Sequence, residues 1–267
     1  MTKLQVVAHR GSSEAYAENG WPAFEAAVAE GADAIECDVQ ATRDGVLVIR
    51  HDLAIGSRLV AEVTATELDA LEPGVVRFAE LLTWAPRARI GLLVELKDPD
   101  IAGKVGDTVA VSPWCERIVI GSFHGPALAV VKTRTPTVKT SLMMGSVLAP
   151  EDFVRLAKVY RADGVHPCWE ARAPHPHRLL DDAAISCFRD ARLAITLWNE
   201  TRETELRSLV RLCPDAICTD TPAKLRRIVD AAAMTATSAA TPKLGTAHQA
   251  PDIFSGAAID RAKQEAP

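Results

Sequence analysis

Several features are missing from this chain, and each absence removes a class of protein. The 267 residues carry a formal net charge of −5, so no broadly basic surface is on offer to nucleic acid. No run of ~18 apolar residues occurs, which excludes a helical span and stable membrane insertion through one. Thr2-Lys3 leads directly into a strand-like run, with no apolar segment ahead of a cleavage site. A soluble, cytoplasmic protein is the expectation. The six cysteines, at 37, 115, 168, 187, 213 and 218, form no Cys-x-x-Cys pair, and Cys213 and Cys218 lack a matching histidine pair. Reduced, buried thiols fit them better than zinc. No Gly-x-Gly-x-x-Gly turn follows the first strand-like run, which weighs against a doubly wound dinucleotide fold. Ser12 and Ser13 lack the surroundings of a nucleophile elbow.

What is present is ordinary in bulk and periodic in detail. Hydrophobic residues make up 48% and charged residues 24% of the chain, as in most globular proteins. Short apolar runs alternate with helical segments. Leu4 to Ala8 reads as a strand buried on both faces, and Pro22 to Glu30 as a helix with Phe24, Ala27 and Val28 inward and Gly31 at its stop. Ala34 to Val39 is a strand. Asp44-Gly45 turns the chain into Val46 to Ile49, either a hairpin addition to that strand or a main strand itself. Helices follow over Glu67 to Leu71 and Phe78 to Trp84. Strands over Ile90 to Leu96, Ile118 to Gly121, Val138 to Leu142, Gly164 to His166, Leu193 to Trp198 and Ala216 to Thr219 then alternate with further helices. About eight strand–helix units predict a single-domain (β/α)8 TIM barrel over residues 1–234. Residues 235–267 are rich in Ala, Thr and Pro and read as a mobile tail, with a short helix expected at Ala257 to Gln264.

The reactive side chains gather at the ends of the early runs. His9-Arg10 closes the first, Glu36-Cys37-Asp38 the second, His51-Asp52 follows the turn, and Glu95-Leu96-Lys97 ends the next. Alternation along a strand puts Glu36 and Asp38 on one face, and Glu95 and Lys97 likewise. In a (β/α)8 barrel these ends converge on the face that carries active sites. Three carboxylates meeting there need a cation between them. Oxygen donors suit Mg²⁺ or Ca²⁺, with Mn²⁺ a further candidate, better than zinc. Arg10 offers a planar fork to phosphate and Lys97 a point charge. His9 and His51 exchange protons near neutral pH and suit general acid–base work. Metal-assisted phosphodiester cleavage uses all of these parts.

The same residues carry a family resemblance. Residues 6–52 resemble the glycerophosphodiester phosphodiesterases through His9-Arg10-Gly11, Glu18-Asn19, Glu36-Cys37-Asp38-Val39, Thr42-Arg43-Asp44-Gly45 and His51-Asp52. Glu95-Leu96-Lys97 matches the family's later Glu-x-Lys, and Ser122-Phe123 and Thr219-Asp220-Thr221-Pro222 match weaker motifs. The resemblance implies a (β/α)8 barrel with one divalent cation held by Glu36, Asp38 and Glu95. It implies His9 and His51 as the acid–base pair, Arg10 and Lys97 as phosphate-binding groups, and a small glycerophosphodiester as substrate, cleaved to glycerol 3-phosphate and an alcohol. Lysophospholipase D-like or sphingomyelinase D-like cleavage is the alternative on the same site. A barrel that binds phosphorylated ligands without turnover is the alternative of another class.

Three departures stand out. Gly20 replaces the threonine that follows Glu-Asn in the family, so its hydroxyl is lost. The family's Trp-Thr-Val-Asn is here Thr196-Leu197-Trp198-Asn199, which keeps the asparagine and moves the aromatic. The segment between His51 and Glu95 leaves no room for the insertion domain many members carry. Phe123, Trp169 and Trp198 are the expected walls of the substrate pocket. His124 reads as the cap of the following helix. His175 and His177, two apart in a proline-stiffened loop near His166, suggest a second metal site; an exposed loop is the plainer reading.

Overall fold

A computed structural model describes residues 4–239 and 253–254. Eight parallel strands close on themselves: β1 (Gln5–His9), β2 (Ala34–Ala41), β3 (Gly91–Leu96), β4 (Ile118–Ser122), β5 (Lys139–Met144), β6 (Gly164–Pro167), β7 (Ala194–Leu197) and β8 (Ala216–Thr219). Closure comes from β1, which pairs with β8 from Gln5 opposite Ala216 and with β2 from Val7 opposite Ala34. Helices α1 (Trp21–Ala29), α2 (Ala65–Leu71), α3 (Phe78–Ala88), α4 (Ala102–Ala110), α5 (Gly125–Arg134), α6 (Pro150–Val159), α7 (Asp182–Asp190), α8 (Glu203–Arg211) and α9 (Pro222–Ala239) surround them. This is the expected TIM barrel. Leu47–Ile49 runs antiparallel to β2, with Val39 opposite Ile49, so Val46 to Ile49 is a hairpin addition rather than a ninth barrel strand.

Strand alternation sorts the side chains into two cores. Ile35, Cys37 and Val39 face outward into the layer between strands and helices, alongside Phe24, Leu92, Val94 and Ile120. The inward set starts apolar, with Val7, Ala34, Leu93, Val119, Ala194, Ala216 and Cys218, and Phe254 closes it from below. Lys139 Nζ donates to the Ile253 carbonyl at 3.1 Å, which fixes this stopper to β5. Burying the Phe254 ring contributes about 2–3 kcal/mol. One level higher the inward set turns polar, with His9, Glu36 and Glu95.

The periodic reading missed α4, whose nine residues include Gly103 and Gly106; two glycines in so short a segment weaken any helical signal. The first residues of the expected tail are helical, since α9 continues to Ala239. Ile253 and Phe254, assigned to the tail, are buried at the barrel floor. The helix expected at Ala257 to Gln264 lies outside the described residues. Among those residues no helix is long and apolar enough to cross a membrane, and all six cysteines are free thiols.

Candidate active site

The site is built by register. Parallel pairing sets His9 opposite Glu36 and Asp38 opposite Glu95, so three strands deliver their polar residues at neighbouring levels of one interior. Just past β1 the chain turns back sharply. Arg10 and Gly11 both take positive φ, 55° and 89°, and a Cβ on Gly11 would lie 2.6 Å from the Ala23 carbonyl carbon. Only glycine fits that approach. α1 follows with Gly20 at its N-cap, where no side-chain capping bond forms, the local consequence of the missing threonine.

Glu36, Asp38 and Glu95 are buried, and each offers a donor oxygen within 4.8 Å of the other two. Glu36 Oε1, Asp38 Oδ1 and Glu95 Oε2 have no hydrogen-bond partner. Buried carboxylate oxygens left this way are costly, and three together fit an oxygen-coordinated divalent cation. Burial, and then the charges of Asp38 and Glu95, push the Glu36 carboxyl well above the ordinary carboxylate range; Arg10 opposes them in part. Burial and then Asp38 push Glu95 up as well.

Two cations answer the three anions. Lys97 Nζ lies 2.9 Å from Glu95 Oε1 and 3.6 Å from Asp38 Oδ1. Burial alone would lower its ammonium, but the charges of Glu95 and Asp38 outweigh that and hold it raised. Arg10 Nε is 3.1 Å from Asp38 Oδ2, and its Nη1 donates to Glu18 at 2.7 Å. Both expected phosphate-binding side chains therefore rest on carboxylates. Counted formally, three carboxylates against two cations leave one negative charge, the sign that draws in a cation.

His9 is held by residues from the far end of the chain. Its Nδ1 lies 2.6 Å from Asp220 Oδ1, which also accepts from Ser13 Oγ at 2.9 Å, while Asn199 Nδ2 donates to Asp220 Oδ2 at 3.0 Å. Burial would raise the Asp220 carboxyl, but the His9, Asn199 and Ser13 contacts hold it down to about 2. This carboxylate fixes the ring and leaves Nε2 pointing toward Glu36, 3.9 Å from Oε2 and without a hydrogen bond. Asp220 received no role from the sequence, although it sits in one of the weaker motifs. Only the barrel's closure joins residues 211 positions apart.

His51 occupies the rim, its side chain 34% exposed, with Nδ1 2.9 Å from Asp52 Oδ1. Its loop is gripped from inside the barrel. Gln40 Nε2 donates to the carbonyls of Arg50, His51 and Asp52 at 2.7, 3.3 and 2.8 Å. Asn19 Nδ2 donates to Asp38 Oδ2 at 2.8 Å and orients that carboxylate. Gln40 was within reach of sequence reasoning, because it shares a strand face with Glu36 and Asp38.

The expected pocket walls differ in exposure. Phe123 is 40% exposed at the mouth with its ring 5.7 Å from Trp198. Trp198 stands edge-on to His9, ring centres 5.2 Å apart. Trp169 is different: it is 3% exposed, stacks toward Phe153 and donates Nε1 to the Ser146 carbonyl at 3.0 Å. With Trp198 it lines a small cavity of ≈ 20 Å³, room for about one water. Trp169 is thus a core residue, because the loop after β6 folds it inward. His124 takes the N-cap position of α5 but its side chain makes no capping bond. His166 points into the barrel beneath Trp198, apart from His175 and His177; burial pushes its ring down to about 3, so it is neutral.

An interior of this kind belongs to the (β/α)8 hydrolases that work at the C-terminal ends of their strands. The model of the glycerophosphoryl diester phosphodiesterase family matches residues 9–224. A glycerophosphodiester phosphodiesterase of Bacillus altitudinis is 29% identical over 252 residues, covering 85% of this chain and 98% of that one. Another, from Caldanaerobacter subterraneus, is 27% identical over 249 residues, with 85% and 98% covered. In fold, the chain resembles an Oleispira antarctica phosphodiesterase solved with its product sn-glycerol-3-phosphate, at a TM-score of 0.73, 20% identity and coverage of 85% and 96%. The chain belongs to the glycerophosphoryl diester phosphodiesterase family and is an enzyme of that class, a phosphoric diester hydrolase.

Proposed function

We propose that this enzyme hydrolyses glycerophosphodiesters to glycerol 3-phosphate and an alcohol, using His9 and His51 to move protons and one divalent cation held by Glu36, Asp38 and Glu95. The observation that carries the reading is the trio of buried carboxylates with unpartnered oxygens beside a histidine fixed by Asp220. A divalent ion bound there would polarise a phosphoryl oxygen and offset charge as the P–O bond breaks.

The chain's own groups do the rest. Asp220 accepts from His9 Nδ1, which leaves the Nε2 lone pair to take a proton from the attacking water. His51, with Nδ1 turned to Asp52, presents Nε2 at the rim and delivers a proton to the departing alcohol. Lys97 and Arg10 trade part of their carboxylate contacts for phosphate oxygens once a cation shares the negative charge. Phe123 and Trp198 give the glycerol side an apolar wall.

Purified protein should release glycerol 3-phosphate from glycerophosphocholine or glycerophosphoethanolamine with Mg²⁺, Ca²⁺ or Mn²⁺, and lose that activity with chelator. Failure to cleave any diester in a broad panel with any of these ions would overturn the reading. Faster cleavage of lysophosphatidylcholine than of glycerophosphocholine would move the substrate to the lysophospholipid class and keep the site.

A further inference from the structure

Among the described residues, one other cluster outside the barrel mouth brings metal-ligating side chains together. We propose that His175, His177 and Glu205 form a second metal site, for a borderline transition ion such as Zn²⁺, that fastens the loop between β6 and α7 to the first turn of α8.

The third ligand is what the sequence could not supply. His175 Nδ1 lies 2.9 Å from Glu205 Oε1, and His177 Nδ1 lies 2.6 Å from Glu205 Oε2. One donor atom from each residue falls within 4.8 Å of the other two. The Glu205 side chain is 5% exposed, and the neighbouring Arg202 is engaged by both carboxylate oxygens of Glu200, at 3.0 and 2.6 Å. The Glu205 carboxylate thus bridges both imidazoles from a buried position, one oxygen to each ring, which brings two nitrogen donors and an oxygen donor together ahead of any ion.

The frame is stiff before any ion arrives. Pro174 and Pro176 restrict the backbone on either side of His175. Arg202 Nη1 donates to the Pro174 carbonyl at 2.8 Å, so the loop is already tied to the α8 side. His175, 54% exposed, provides an entry path and leaves a fourth position for water. Two imidazole nitrogens and one carboxylate oxygen suit Zn²⁺, whereas the three oxygens of the mouth suit harder ions. Loading moves each Nδ1 proton to the solvent-side Nε2 and turns the lone pair inward. The donors must also part by roughly half an ångström from hydrogen-bond separation to ligand separation.

The test uses the full chain, stripped of metal, with saturating Mg²⁺ present to satisfy the mouth. Calorimetric titration with Zn²⁺ should find one bound equivalent, and Co²⁺ as a spectroscopic probe should give a visible band of low-coordinate N/O type. The Zn²⁺-loaded protein should show two imidazole nitrogens by X-ray absorption and unfold at higher temperature. His175→Ala removes a half-exposed ring and leaves the fold intact by circular dichroism; it should weaken Zn²⁺ binding at least about tenfold. His177→Gln, which keeps a donor for Glu205, should do the same, and Glu36→Gln should retain the equivalent. The proposal fails if the wild type binds no Zn²⁺ under these conditions, or if folded His175→Ala binds it as tightly as the wild type.

Discussion

The two ends of the barrel interior are made from the same strands and obey opposite rules. At the floor, Val7, Leu93, Val119 and Ala216 close around Phe254, and the Lys139 ammonium reaches the backbone carbonyls of Glu116 and Ile253. At the mouth, two residues further along the strands, Glu36, Glu95 and His9 are buried with polar atoms lacking hydrogen bonds. The floor gains stability from apolar burial. The mouth gives some of it back, because carboxylates pushed up by burial and by one another favour unfolding at neutral pH. Strand alternation lets both exist a few ångströms apart without sharing side chains.

That contrast makes separable predictions. The largest effect belongs to the mouth: His9→Ala should lower kcat by about 10²–10⁴-fold, with a thermal unfolding midpoint close to wild type. A matching collapse in stability would show that His9 is structural. Phe254→Ala should do the reverse, costing about 3 kcal/mol in denaturant unfolding while the folded fraction keeps its specific activity. Asp220→Asn, which weakens the hold on His9 Nδ1, should reduce kcat by roughly 10–100-fold, and more than it raises KM. An unchanged kcat would remove Asp220 from the positioning role.

The smallest effect sharpens the comparison most. In metal-free protein, Glu36→Gln should raise stability by about 1 kcal/mol near neutral pH. The sign follows from the raised carboxyl. A group whose folded pKa lies above its unfolded value contributes stability below the unfolded pKa and loses it as pH rises through the folded one. The variant's advantage in unfolding should therefore grow from acid toward neutral pH and disappear once Glu36 is protonated. A variant less stable than wild type at neutral pH would mean that Arg10 and Lys97 already overcompensate the trio.

Much of this arrangement could be read from the chain, and the remainder divides along physical lines. Glu36 and Asp38 follow directly from alternation on an apolar strand, as does their meeting with Glu95 once eight units imply closure. The strands were visible because each is apolar enough to be covered on both faces. α4 was not, because Gly103 and Gly106 dilute its pattern. Partners set by closure or by loop packing were also out of reach: Asp220 for His9, Glu205 for His177, and the inward fold of Trp169. A linear pattern records which face a residue occupies, but seldom which distant side chain it finds there.

Gln40 has a further consequence for how such a chain can change length. Its single amide holds three successive carbonyls, of Arg50, His51 and Asp52, from the strand that also carries Glu36 and Asp38. His51 and the carboxylates thus share one ruler, marked off two residues at a time. Everything after Leu53 lies downstream of that grip. New segments can be added there without resetting the position of His51, so the chain's freest place to grow lies beside its most constrained chemistry.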